Sequence, residues 1–284
     1  MGVRAVLLLS CADQKGLVAS VADFVFRHGG NIVSADQHTD AEHGLFLQRV
    51  EWELEAFALD RQETAARFRP VAERFGMRWE LRYTDHVARA AILVSKLGHC
   101  LNDLLWRQQA GEFAAEVPLV VSNHEELRAV AAGFGVRYEV VPVSAATREA
   151  AETRLLAVLD EEGIELLVLA RYMQVLSPRV LARFPQRIIN IHHSFLPAFV
   201  GARSYHQAYA RGVKAIGATA HYVTEELDQG PIIEQDVARV SHRDTVEDFL
   251  RKGRDLEKVV LARAVDLHLR HGVLVYGNKT VVFD

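Results

Sequence analysis

Residues Ala5 to Ser10 form a short apolar run rich in strand-forming side chains, and the polar turn Asp13-Gln14-Lys15-Gly16 separates it from Leu17, Val18, Val21, Phe24 and Val25. Those five fall at i, i+1, i+4, i+7 and i+8, the stripe of an amphipathic helix. Gly29 and Gly30 supply a helix stop, and Asn31 to Gln37 resumes an extended pattern through Ile32 and Val33. Leu45 to Leu54 reads as a third strand and Asp60 to Phe75 as a second helix. Met77, Trp79, Leu81 and Tyr83 then alternate with Arg78, Glu80 and Arg82, as a half-buried strand does. The pattern predicts an α+β, ferredoxin-like βαββαβ domain over residues 1–84, with both helices on one face of an antiparallel sheet.

From Arg89 the rhythm changes. Short apolar runs at Ala90–Val94, Val117–Val121, Tyr138–Val141, Leu166–Leu169 and Ile188–Ile191 are separated by helical patterns, which predicts βαβ units in a mainly parallel, Rossmann-like α/β domain over residues 85–284. Such sheets bind ligands beyond the carboxyl ends of their strands. Gly217–Val223 and Ile232–Val240 flank a Gly-Pro turn and are expected to add antiparallel pairing. Thr245–Arg270 reads as a long amphipathic helix, and Val273–Val275 with Val281–Phe283 as a terminal hairpin around Gly277-Asn278. Tyr83 to Val87 is the linker.

Length supports two cores: 284 residues, half of them apolar, exceed what one compact core usually holds. Thirty-three basic against 37 acidic residues give a net charge of −4 with no basic stripe, so a nucleic-acid partner is not expected. Only Cys11 and Cys100 occur, without metal or redox spacing, which suits a reducing cytoplasm. The amino-terminal apolar run lacks the basic flank and cleavage site of a signal peptide, and no stretch is long enough to span a membrane.

The densest polar chemistry follows the Ile188 strand, in Asn190-Ile191-His192-His193-Ser194-Phe195-Leu196-Pro197. Side chains on a strand repeat every two residues, so Asn190 and His192 share one face. An amide that stabilises an oxyanion, beside an imidazole that moves a proton near neutral pH, is a pair that acts on a carbonyl. A second cluster runs from His221 to Pro231, where Asp228, just before the Gln229-Gly230-Pro231 turn, is placed to orient His192.

At this point a resemblance becomes specific. Arg187 to Phe199 resembles the signature of folate-dependent formyltransferases, and Leu227-Asp228-Gln229-Gly230-Pro231-Ile232-Ile233 resembles their second motif; the likeness implies a catalytic triad of Asn190, His192 and Asp228. Within that superfamily the chain is most similar to the formyltetrahydrofolate deformylases, through Ser95–Trp106, Ile189–Tyr209, Gly217–Asp236 and Val275–Phe283. The resemblance implies hydrolysis of 10-formyltetrahydrofolate to formate and tetrahydrofolate, feeding purine synthesis and balancing the one-carbon folate pool, with no cofactor or metal. It implies a folate pocket at Tyr172, Gln174, Val175, Leu176, Val223 and Leu227, with His193 handling water or formate and His221 behind the catalytic groups. Asp13, Gly16, Gly30 and Asn31 are similar to the ligand loops of ACT domains, which implies a homo-oligomer with an amino-acid effector, glycine or methionine, held at a subunit interface.

Three rivals remain at this stage. A zinc hydrolase built on His192, His193, His221 and Asp228 lacks the usual ligand spacing. A formyltransferase acting on an amine is opposed by Ser95-Lys96-Leu97-Gly98-His99-Cys100, which stands where the resembled transformylases carry a phosphate-binding Gly-Ser-Asn loop. A binding-only sensor is opposed by the intact Asn190, His192 and Asp228.

Overall fold

The computed structural model describes residues 2–198 and 203–284; Phe199, the last residue of the first motif, lies outside them. Two compact units emerge, one comprising Met1–Val87, Arg270–Tyr276 and Val281–Asp284, the other Ala88–Leu269 and Gly277–Thr280.

In the first unit, β1 (Arg4–Ala12), α1 (Leu17–Arg27), β2 (Asn31–Asp40), β3 (Leu45–Glu53), α2 (Arg61–Phe75) and β4 (Arg78–Tyr83) form a four-stranded antiparallel sheet in the order β2-β3-β1-β4. Four of the five positions of the helical stripe read from the sequence are buried, Leu17, Val21, Phe24 and Val25, which pack with Leu7, Leu9, Trp52 and Phe68, whereas Val18, at the stripe's edge, is exposed. Asp60 caps α2 by accepting from the backbone N–H groups of Gln62 and Glu63 while Glu63 reaches back to Asp60, a reciprocal box that satisfies otherwise orphaned donors. The sheet buries its second face too. Val6, Leu8 and Leu47 are enclosed there, and Arg49 donates to the carbonyls of Arg270 and His271 at 3.3 and 3.1 Å. Residues 270–276 and 281–284 therefore group with this unit, whereas the sequence pattern assigns them to the second domain.

The second unit is built on a seven-stranded sheet, which takes up β5 (Ala88–Val94), β6 (Ala115–Ser122), β7 (Arg137–Val140), β8 (Leu166–Leu169), β9 (Ile188–His192), β10 (Ala215–Tyr222) and β11 (Ile232–Arg239). Its order is β11-β10-β9-β8-β5-β6-β7, parallel from β9 to β7, with β10 and β11 antiparallel. Chain order reverses direction between β5 and β8, and that switch opens a crevice at the carboxyl ends of these strands. Helices α3 (His99–Gln109), α4 (Arg128–Gly133), α5 (Arg148–Glu161), α6 (Pro178–Arg183), α7 (Ser204–Arg211) and α8 (Val246–Leu269) connect and cover the strands. Leu155, Val158 and Leu159 of α5 pack with Leu93, Leu119 and Leu167 in one core. A terminal hairpin, β12 (Val273–Tyr276) and β13 (Lys279–Val282), ends the chain. No described helix is long and apolar enough to cross a membrane.

Candidate active site

Strand β9 is anchored by Ile188, Ile189 and Ile191, all buried, and delivers Asn190 and His192 to the crevice end of the sheet. Its neighbour β10 runs antiparallel in a register that sets His221 opposite Asn190 and Thr219 opposite His192. Thr219 is buried and holds the segment after β9: its hydroxyl donates to the Ser194 carbonyl at 2.8 Å and accepts from the Leu196 N–H at 3.0 Å. The pairing of β10 with β11 slips between Ala220 and His221, a bulge of the kind that re-aims side chains near functional sites.

Three groups from two separated segments converge here. His192 Nδ1 stands 3.2 Å from Asp228 Oδ2, with the two side chains only 5% and 11% exposed. His221 Nδ1 is 2.9 Å from its neighbour's carbonyl on Tyr222, which it reaches as a donor, so the neutral ring presents Nε2 as an acceptor. Asn190 Nδ2 donates to that nitrogen at 3.2 Å, and His221 Nε2 also lies 3.8 Å from Asp228 Oδ1. The amide is thereby fixed with its second N–H free of His221. Burial opposes ionisation of Asp228, but the bond to His192 foremost outweighs it and holds the carboxyl well below the usual carboxylate range. A carboxylate on Nδ1 selects the tautomer whose lone pair is on Nε2, and His192 Nε2 is buried with no hydrogen-bond partner among the described residues.

The loop that carries Asp228 is held in an unusual shape. Asp228 has φ 56°, the left-handed region that aspartate tolerates better than most side chains. Two residues on, a Cβ at Gly230 would stand 1.8 Å from the Tyr222 carbonyl oxygen, so only glycine lets the turn approach β10 this closely. Asn278, at the tip of the terminal hairpin, donates to the Gln229 carbonyl at 2.8 Å and braces the turn from its other side.

A cavity of about 240 Å³ opens on these groups. Every residue that the resemblance implies for substrate contact lines it: Tyr172, Gln174, Val175 and Leu176 after β8, His193 after His192, and His221, Val223 and Leu227 with Asn190, His192 and Asp228. Its exposed lining mixes apolar Met173, Val175 and Leu227 with polar Thr224, Glu225 and Glu226. Ser95, at the end of β5, ties the wall together by donating to Asn123 Oδ1 at 2.7 Å and accepting from the Met173 N–H at 3.0 Å.

Sequence reasoning missed Arg171, which also lines the cavity, and the buried Glu257 beside it. Glu257 lies on the face of α8 that carries Phe249, Gly253 and Leu261, so a lone carboxylate at i+4 spacing on an otherwise buried stripe was the available signal. His99, Cys100 and Glu257 bring potential ligand atoms within 4.8 Å of one another, and the Arg171 guanidinium lies 3.6 Å from the Glu257 carboxylate as its counter-charge. The effector residues are not gathered in one place: Asp13 and Gly16 precede α1, while Gly30 and Asn31 follow it, and eleven helical residues separate them by roughly 16 Å. Gly30 is also required by packing, because a Cβ there would meet Val25 at 2.6 Å and Phe57 at 2.9 Å.

Comparison with known proteins shows the family and the fold. Residues 88–265 match the Formyl transferase family model and residues 5–73 the ACT domain model. A formyltetrahydrofolate deformylase of Synechocystis is 54% identical over 99% of both chains. The crystal structure of a formyltetrahydrofolate deformylase from Pseudomonas syringae superposes with TM-score 0.97 at 45% identity, covering 100% of this chain and 95% of the other. A glycinamide ribonucleotide transformylase from Symbiobacterium toebii covers 70% of this chain and 95% of its own, with TM-score 0.66 and 33% identity.

Proposed function

From the premise that the chain belongs to the formyltetrahydrofolate deformylases, which hydrolyse 10-formyltetrahydrofolate to formate and tetrahydrofolate, we propose that Asn190, His192 and Asp228 carry this hydrolysis without a metal ion. The carrying observation is the convergence of an amide, an imidazole and a carboxylate on one cavity. Water in the cavity attacks the formyl carbon as His192 Nε2 takes its proton, and Asp228 stabilises the imidazolium that results. The formyl oxygen becomes an oxyanion and accepts the second N–H of Asn190, whose first is committed to His221. The C–N bond then breaks, the proton returns from His192 to the departing folate nitrogen, and the formic acid released ionises to formate. His193 is assigned to the water and formate side of the cavity. The residues after β8 and the 223–227 segment are assigned to the pteridine.

Support for the metal-free reading comes from the donor set: His221 uses both ring nitrogens and Asp228 faces His192 Nδ1, so these two members of the zinc alternative are engaged with neighbouring groups or with the backbone. Incubation of the protein with 10-formyltetrahydrofolate alone tests the reading: formate and tetrahydrofolate should appear in equal amounts, and turnover should survive a strong chelator. Formyl transfer that waits for an added amine, or activity lost to the chelator and restored by zinc, would overturn it.

The ACT domain carries a small-molecule effector, and we assign it glycine or methionine in a homo-oligomer. One chain holds its two candidate loops at opposite ends of α1, so a site using both needs a second copy to supply one of them. Either amino acid should shift the melting temperature or the rate; if neither does, the assignment fails.

A further inference from the structure

Arg171 follows β8 with φ 64°, a left-handed conformation that a long side chain rarely adopts, and its carbonyl accepts from the Ser95 N–H at 3.3 Å. Its side chain is only 10% exposed and lies in the wall of the cavity with Asn190, His192 and His193. Two of its nitrogens, Nε and Nη1, are buried with no hydrogen-bond partner among the described residues. An arginine is always charged and offers five donors, so a guanidinium left this unsatisfied inside a protein is held for something.

What holds it is visible. Glu257, 2% exposed, places Oε2 3.6 Å from Arg171 Nε. The same carboxylate accepts from His99 Nε2 at 2.7 Å and from the Tyr205 hydroxyl at 3.0 Å. Tyr205 reaches it because α8 has Gly253 one turn earlier, where a Cβ would stand 2.2 Å from the tyrosine ring. Burial opposes the ionisation of Glu257, yet the bond to His99 and the positive charge of Arg171 outweigh it and lower its pKa. The counter-charge is therefore built into the fold. At 3.6 Å, however, it takes none of the guanidinium's hydrogen bonds.

Hydrolysis converts a neutral formamide into an anion inside this cavity, and the catalytic groups provide no fixed positive charge for it. We propose that Arg171, positioned by Glu257, is the formate subsite, its guanidinium receiving the carboxylate that forms when the formic acid released by C–N cleavage ionises. The proposal rests on the deformylase reading and deepens it. Glu257 and Tyr205 touch neither substrate nor product and act as positioning residues.

The test reads formate binding directly, independent of turnover, by titrating sodium [13C]formate against sodium chloride controls with tetrahydrofolate saturating and following the formate NMR linewidth. Arg171→Gln should weaken formate at least tenfold while tetrahydrofolate affinity is kept. Glu257→Gln keeps the side chain's shape and one of the two oxygens that accept from His99 and Tyr205, but removes the competing negative charge, so it should tighten formate several-fold, an effect no structural role predicts. Should the Arg171→Gln protein fail to fold, the double variant Arg171→Gln/Glu257→Gln removes both charges together and should show the same loss. His192→Ala should retain formate affinity, so the subsite and the proton-transfer mechanism fail separately. Unchanged formate affinity in the arginine variants, or weakening on Glu257→Gln, would overturn the proposal.

Discussion

Replacing Asp228 by asparagine isolates the charge behind His192 from everything else in the loop. Asparagine matches aspartate in size and tolerates the left-handed φ of 56° at this position, so the turn before Gly230 stays in place. What changes is the partner 3.2 Å from His192 Nδ1, in a pair only 5% and 11% exposed. A hydrogen bond to a charged group contributes about 1.5–3 kcal/mol, or about 10- to 150-fold in rate if it is expressed only when the imidazole is protonated. A second loss comes from the tautomer: an amide N–H facing Nδ1 drives the proton to Nε2 and removes the lone pair that must receive water's proton. In the serine-protease triad the equivalent change costs about 10⁴-fold. We therefore expect kcat to fall by about 10²- to 10⁴-fold with KM within a few-fold, measured as formate released in single-turnover and steady-state assays. A variant within threefold of the parent kcat would refute the assignment of Asp228, since neither loss would then have occurred.

The same carboxylate makes a pH prediction. Its folded pKa is lowered below the ordinary aspartate value of 3.8, so its bonds add stability above about pH 4, and that contribution is lost as pH falls through the folded value. Thermal unfolding should therefore separate the parent from Asp228→Asn most at neutral pH and converge them in strong acid; a gap that widens on acidification would contradict the sign. Gly230→Ala must displace the turn or β10, since the new Cβ would lie 1.8 Å from a carbonyl oxygen, and should cost about 1–3 kcal/mol of stability and more than tenfold in kcat. Asn278→Ala removes the brace on the Gln229 carbonyl and should lower kcat several-fold with little change in melting temperature, whereas unchanged kinetics would show that the turn holds its shape alone.

Much of this site is written in local patterns. Period-two alternation put Asn190 and His192 on one strand face, and turn chemistry put Asp228 before Gly230, because both depend on neighbours a few residues apart. Strand and helix positions from Ala5 to Phe283 follow the same logic, and the long helix predicted at Thr245–Arg270 spans Val246–Leu269. Long-range partners were not legible. Arg49 is bonded to carbonyls at 270 and 271, more than two hundred residues away, so nothing near it announces that the chain's end folds against the first unit's sheet. Arg171 and Glu257 are 86 positions apart, and neither belongs to a motif that chemistry alone would single out. The helices Pro178–Arg183 and Ser204–Arg211 are only six and eight residues long, too short for a periodic stripe to stand out.

His192→Ala, assayed for substrate binding and for chemistry on the same protein, probes the proton-transfer account at its centre. Binding of 10-formyltetrahydrofolate should remain within a few-fold of the parent, while a single turnover with excess enzyme should release formate at least 10²-fold more slowly. Formate appearing at the parent rate from that variant would mean that another group takes water's proton.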